Sequence, residues 1–313
     1  MLSYILRRIL YAIPILLGVL FVTHFLFFGI SSPEVIARRN LSTRNPKPEQ
    51  IKQWLTDHGY DKPASEQLKR STIDMMSFNF GKSDTTGEDI WNRIKQGALP
   101  SLIVGGLVFL IGLAIALLTA IIAAYFRGTY VDAFITFFCV VLMSVVYIVY
   151  VIGLQFVLGK LLRLGPISGW DTGLGMLKFL ALPVVIGIIS GLGADIRLYR
   201  TFLLDETNQD YVRTARAKGV AEQWILFRHV LKNALMPVIT STVAAIPTLI
   251  LGSLVLESFF GIPGLGNYLV DAINGQDFSV VRAMVFLGTL LTIVGLIFTD
   301  IAYALVDPRV RLE

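Results

Sequence analysis

The 313-residue sequence is poor in the residues that most catalytic and metal sites need. It has one cysteine, three histidines and only 16% charged residues, where soluble domains carry about 25% charge. The cysteine, Cys139, sits inside an apolar run, which excludes an intrachain disulfide and a multi-cysteine metal site. His24, His58 and His229 fall in three separate regions, and neither H-E-x-x-H nor G-x-S-x-G occurs. Imidazole-based metal binding or nucleophile activation therefore lacks its usual partners. What is abundant is apolar: 55% of the residues are hydrophobic and the mean hydropathy is +0.69. They lie in runs of about 20–28 residues, enough to cross a hydrocarbon core of about 30 Å. A cytosolic enzyme, a secreted disulfide scaffold and a disordered tail are excluded. The net charge of +5 invites a nucleic-acid partner, but its basic residues lie between the apolar runs, and membrane topology accounts for them without one.

Six spans are expected: Ile9–Ile30, Pro100–Tyr125, Val131–Leu158, Met176–Leu198, Pro237–Leu256 and Val280–Leu305. The first exceeds the h-region of a cleavable signal and is followed by no small-residue cleavage site. An even number of spans places both termini on one side. With that side inside, the short inner segments hold Arg7, Arg8, Arg127, Arg197, Arg200, Arg213, Arg216, Lys218, Arg228, Lys232, Arg309 and Arg311, against Lys160, Arg163, Lys178 and Arg282 outside. The excess puts both termini in the cytoplasm. The polar segment Ser31–Gly97 then forms an extracytoplasmic insertion of short helices. Its eleven basic residues face nine acidic ones, and it is too long for its charge to set topology. Patterns at Ile51–Leu55 and Ile90–Ile94 read as amphipathic helix. The expected fold is all-α and polytopic, one membrane domain over residues 1–313.

Two glycine-rich stretches imitate nucleotide sites. Gly81-Lys82-Ser83 ends like a P-loop, but Met76 stands where the first glycine belongs. Gly261-Ile262-Pro263-Gly264-Leu265-Gly266 has the wrong spacing for a dinucleotide fingerprint and no βαβ unit to host it. It reads as an extracytoplasmic turn after the fifth span, carried by Pro263, Gly264 and Gly266. Ionisable residues within the spans are few: His24, Asp195, Arg197 and Asp300. Such residues normally face protein or water, and an interhelical ion pair or snorkelling to the interface is the expectation for Asp195 and Arg197.

The most informative segment is the loop Tyr199–Met236 between spans four and five. Thr207 or Asn208 suits a helix N-cap, Asp210 its first turn, Lys218 its last turn and Gly219 the position after it. The resulting helix, Gln209–Lys218, is too short to stand alone in water and needs a surface. Tyr211, Val212 and Ala215 share a face, Ala215 and Ala217 permit close approach, and Arg213, Arg216 and Lys218 bring charge. The chain's own bundle, anionic lipid headgroups and a protein partner all remain open as that surface.

Asp210-Tyr211-Val212-Arg213-Thr214-Ala215-Arg216-Ala217-Lys218-Gly219, continued by Arg228-His229, Asn233-Ala234-Leu235 and Pro237, resembles the EAA loop of ABC-importer permeases in its dipeptide/oligopeptide/nickel form. Arg213 and Thr214 replace the glutamate and first alanine of the general pattern, as is normal in that branch. The resemblance runs through Leu6-Arg7-Arg8, Tyr60-Asp61-Lys62-Pro63, Phe80-Gly81-Lys82-Ser83, Pro166-Ile167-Ser168-Gly169, Pro263-Gly264-Leu265-Gly266, Asp271-Ala272-Ile273 and Asp307-Pro308-Arg309. Two positions depart from it: Ser279 replaces a usual proline, and no proline interrupts span three around Ser144-Val145-Val146. The resemblance implies a type I ABC importer permease fold with no catalytic residue or metal site. Its implied partners are a homologous second permease, two cytoplasmic ABC ATPases that hold the ATP and Mg, an extracytoplasmic solute-binding protein and membrane lipid, with no nucleic acid. The 199–236 loop is then the ATPase-coupling element. Peptides are the commonest cargo of such permeases; nickel or a nickel–chelator complex is the alternative. A membrane scaffold that transports nothing is the reading from a different class.

Overall fold

A backbone that crosses hydrocarbon must satisfy its own N–H and C=O groups, and helices do so within one segment. The computed structural model describes residues 2–30, 32–41 and 46–306; Ser31, the tail motif Asp307-Pro308-Arg309 and Arg311 lie outside the described residues. Fourteen α-helices are described, in the order α1 (Leu2–Ile30), α2 (Pro33–Asn40), α3 (Pro48–His58), α4 (Ala64–Met76), α5 (Ile90–Tyr125), α6 (Tyr130–Met143), α7 (Tyr147–Leu154), α8 (Met176–Thr207), α9 (Asp210–Ala217), α10 (Glu222–Ile225), α11 (Leu231–Leu251), α12 (Leu254–Phe260), α13 (Leu265–Gly275) and α14 (Phe278–Val306). The only extended pairing among the described residues is an isolated Lys82–Asp89 bridge.

Five helical stretches are long and apolar enough to cross a membrane: Leu6–Phe27, Ile90–Tyr125, Met176–Thr207, Glu222–Ile246 and Phe278–Ile301. The third expected span is instead a pair, Tyr130–Met143 and Tyr147–Leu161, bent by 92°. The bend falls at Ser144–Val146 although no proline is there. Ser144 Oγ donates to the Val140 carbonyl at 2.7 Å, and the Tyr150 hydroxyl donates across the break to the Leu142 carbonyl at 2.7 Å, which serves groups that a helix end leaves open. Gly193 of α8 lets the end of α6 approach closely, for a Cβ there would stand 2.8 Å from the Cys139 carbonyl oxygen and 2.9 Å from Leu142 Cβ.

Other boundaries shift for local reasons. The Asp89 carboxylate accepts from Asn92 N at 2.8 Å, so α5 starts ten residues before Pro100 and absorbs the Ile90–Ile94 pattern. Helix α8 continues to Thr207, nine residues past the expected end of span four. The fifth span begins at Glu222, passes through a π-helical turn at Leu226–Val230 and stops at Leu251. Gly252, with φ +73°, breaks it, and the last three expected residues, Leu254 to Leu256, belong to the separate helix α12.

The segment between α1 and α5 folds as α2–α4, with Ile36, Ala37, Ile51, Trp54 and Tyr60 as its own small core. Two buried carboxylates, Asp84 and Asp277, fasten it to α14. Asp277 accepts from Ser83 Oγ, from Thr85 Oγ1 at 2.8 Å, from Asp84 N at 3.2 Å and from Val280 N at 3.1 Å. Asp84 accepts from the Tyr60 hydroxyl at 3.2 Å, from Ser279 N at 3.0 Å and from Ser279 Oγ at 2.9 Å. The serine that replaces the usual proline at 279 thus supplies two donors that proline cannot, and the false P-loop serine, Ser83, is spent on the same junction.

Burial, and then the neighbouring Asp277, push the Asp84 carboxyl above its ordinary value, against the opposing Ser279 bonds and His58. Folded protein then holds this proton more tightly than the unfolded chain does, so stability falls as the pH rises from the ordinary carboxylate value through the raised one. The Asp84 contribution should make the wild-type protein in detergent melt higher on the acid side of the raised value than on the alkaline side. Asp84→Asn should remove that part of the difference, and an undiminished difference in Asp84→Asn counts against the assignment.

Candidate functional site

Helices α8 and α11 run antiparallel and are joined by the α9–α10 segment, so one end of the bundle carries α9. Gln209 is the N-cap residue and gives no side-chain cap. Thr207 and Asn208, the expected caps, bond back to the Leu204 carbonyl at 2.7 and 3.2 Å and finish α8 instead. At the other end Gly219, φ +77°, donates to the Arg216 carbonyl at 2.9 Å, while Val220 N reaches the Ala215 carbonyl at 3.3 Å. This is a Schellman stop.

The two faces of α9 differ sharply. Val212 is 0% and Ala215 8% exposed, packed with Tyr199, Leu203, Ile225, Leu226, Val230 and Ala234 of the same chain. Of the surfaces left open by the sequence, the bundle itself takes this face, and Ala215 is a seat residue rather than an outward contact. Asp210, Tyr211, Arg213, Thr214, Arg216, Ala217, Lys218 and Gly219 are all exposed. Tyr211 separates from Val212 and Ala215, its hydroxyl donating to Glu206. Arg216 grips Glu222 through Nη2–Oε1 at 2.5 Å and Nε–Oε2 at 3.1 Å, a bidentate clasp that ties α9 to α10. Arg213 only touches Asp210 at 3.5 Å, and Lys218 is paired with no acidic side chain among the described residues.

A cavity of about 550 Å³ runs inside the bundle between α5, α8 and α11. Asp195, Tyr199, Ser241 and Thr242 line its α9 end, while Gly187, Leu249, Gly252, Ser253, Leu256 and Glu257 line the other. Neither Asp195 nor Arg197 forms an interhelical ion pair among the described residues. Arg197 points to Met143 Sδ at 3.8 Å. Among the described residues the ion pairs between spans are Arg200–Asp132, doubly bonded at 2.8 Å, and Arg8–Asp300 at 2.6 Å.

The far end of the cavity rests on a residue that the sequence does not advertise. Glu257, 1% exposed, accepts from Ser253 N at 3.2 Å, Gly266 N at 2.7 Å and Asn267 N at 3.3 Å. The side chain of α12 thereby caps α13, where the unpaired N–H groups favour an anion. Glycine is required at 252 and 264, since a Cβ there would lie 2.0 and 2.2 Å from the Glu257 carboxylate. Pro263 sits in the turn between α12 and α13, Gly264 is the N-cap of α13 and Gly266 lies in its first turn. The stretch is a turn, as its glycines and proline suggest.

An all-helical, multi-span bundle around an internal cavity, with a helical loop presented at one end, defines a membrane transport component. The chain belongs to the family described as binding-protein-dependent transport system inner membrane component, whose pattern matches residues 116–312. It is 31% identical over 318 residues to a putative peptide transport system permease protein of Brucella abortus, with 100% of both chains covered. It is 31% identical over 320 residues to the oligopeptide transport system permease protein AppB of Bacillus subtilis, covering 99% of this chain and 100% of the relative. The dipeptide transport system permease protein DppB of Lactococcus lactis subsp. cremoris is 30% identical over 315 residues, 100% of both. The resemblance read from the loop motif therefore holds along the whole chain.

Proposed function

We propose that this chain is one of two homologous permease subunits of an ATP-driven importer that takes up peptides delivered by an extracytoplasmic solute-binding protein. Six crossings, with Tyr130–Leu161 as one bent span, leave both termini and α9 in the cytoplasm, and the charge excess of the α9 side supports that orientation. The 31–97 segment and the α12–α13 turn then face outward, where the binding protein docks. ATP and Mg act in two partner ATPases and no cofactor resides in this chain. The family description supports the inner membrane and the binding-protein partner, and the names of the relatives favour peptides; no observation favours nickel or a silent scaffold.

The observation that carries this reading is the division of α9. Its apolar face is already seated, so the outer face of Asp210, Arg213, Thr214, Ala217 and Lys218 is free for an ATPase. The seat joins α8 to α11, two of the three helices around the cavity, so a push on α9 moves those walls as rigid bodies. Charge reversal at Arg213 and Lys218 together should reduce the ATPase recovered with tagged permease by about fivefold or more, since like charges across an interface cost several kcal/mol. Full recovery in that variant would argue against docking through this face.

A further inference from the structure

Most acids of the bundle interior are spent on structure: Asp132 on Arg200, Asp300 on Arg8 and Glu257 on the start of α13. Asp195 is different. It lines the cavity and has no hydrogen bond or ion pair among the described residues. Its Oδ2 lies 3.7 Å from where a Cβ on Gly191 would stand, so the carboxylate lies back along α8 over a gap that a glycine leaves open. Side chains of a helix lean toward its N-terminus, here away from the α9 end. The site is deep: twelve residues separate it from the end of α8, about 18 Å at 1.5 Å per residue.

Two of the neighbouring polar groups share one character. Ser241 Oγ and Thr242 Oγ1 both line the cavity, and both give their protons to the Val238 carbonyl, at 2.9 and 2.7 Å. Each keeps only lone pairs to offer. A carboxylate beside two hydroxyls with spent protons, with the Tyr199 hydroxyl one turn along α8, is an acceptor-rich surface, and an ammonium group, with three donors and no acceptor, is its complement. The cavity walls are largely small or apolar, with Gly191, Leu198 and Ala245 among them, and a volume of about 550 Å³ suits a small ligand of varied shape. An unpaired carboxylate at membrane depth is costly and marks a pathway.

We propose that Asp195, with the Ser241 and Thr242 oxygens, is a transient cargo site inside the cavity. It receives the primary ammonium group of the solute, which for a peptide is its N-terminus. This rests on the importer reading above and adds to it the chemical class that the membrane path itself recognises.

The test uses the complete importer in proteoliposomes: both permeases, the ATPases and the binding protein, with labelled trialanine as the probe. Asp195→Asn should lower the maximal uptake rate about tenfold or more, whereas Asp195→Glu, which keeps the charge, should retain at least about half of it. Both variants should assemble normally on size exclusion. Uptake at the wild-type rate in Asp195→Asn overturns the site. So does an Asp195→Glu variant as poor as Asp195→Asn, or loss of assembly in either, because those mark a structural role. A wild-type complex that neither assembles with the ATPases nor takes up trialanine overturns the importer reading as well.

Discussion

Val212→Asp should abolish ATP-driven uptake. Val212 is fully buried beneath α9, and its loss forfeits about 1.5–3 kcal/mol of apolar burial. The new carboxylate lies in the apolar cluster of Tyr199, Leu203 and Leu226, and an uncompensated buried charge costs about 3–5 kcal/mol. An eight-residue helix cannot survive away from its seat, so α9 lifts off or unwinds while the long spans persist. Ala215→Asp acts on the same seat and should do the same. It acts by unseating α9 from its own bundle. Uptake should fall below about a tenth of wild type with the helical circular dichroism of the purified protein essentially unchanged. Val212→Ile, close in volume and polarity, should stay within about twofold. A Val212→Asp protein that transports normally would show that the seat is dispensable.

Glu257→Ala should give the second large effect, on stability. It strands the N–H groups of Ser253, Gly266 and Asn267 in a buried place, and each such loss costs about 1–3 kcal/mol. A total near 3 kcal/mol or more corresponds to a melting temperature lower by roughly 5–10 °C. Glu257→Gln keeps one acceptor oxygen and turns an amide toward the other donors, so it should fall between. The loss should concentrate in faster amide exchange across 252–267, where α12 and α13 come apart. A melting temperature unchanged in Glu257→Ala would remove the carboxylate from its place as the pin of this hairpin.

Local chemistry was legible wherever one residue type decides it. Gly219 ends α9 and the Gly261–Gly266 stretch turns the chain because positive φ, close approach and ring closure belong to glycine and proline. The long apolar runs became helices because hydrocarbon allows little else. The bend in span three was hidden because it depends on contacts remote in sequence: Tyr150 reaching the Leu142 carbonyl and Gly193 admitting α6. Glu257 was missed for a similar reason. Its three donors come from both sides of two glycine turns, and nothing beside it in the sequence marks it as buried. The face of α9 was predicted correctly for Val212 and Ala215 as a pair. Periodicity alone could not say that the pair points into its own bundle, nor that Thr207 and Asn208 would close α8.

Cys139 is fully buried, and as the only cysteine in the chain it makes a direct contact measurement practical. A single exposed thiol placed by Thr214→Cys on the outer face of α9 can carry a photo-cross-linker attached before the complex is assembled. Lys69→Cys, exposed on α4, serves as the control on the segment assigned to the opposite side. Illumination should join Thr214→Cys permease to an ATPase subunit and leave Lys69→Cys permease unjoined to either ATPase. An assembled complex in which Thr214→Cys captures no ATPase, or Lys69→Cys captures one, would contradict the assignment of α9 as the coupling surface.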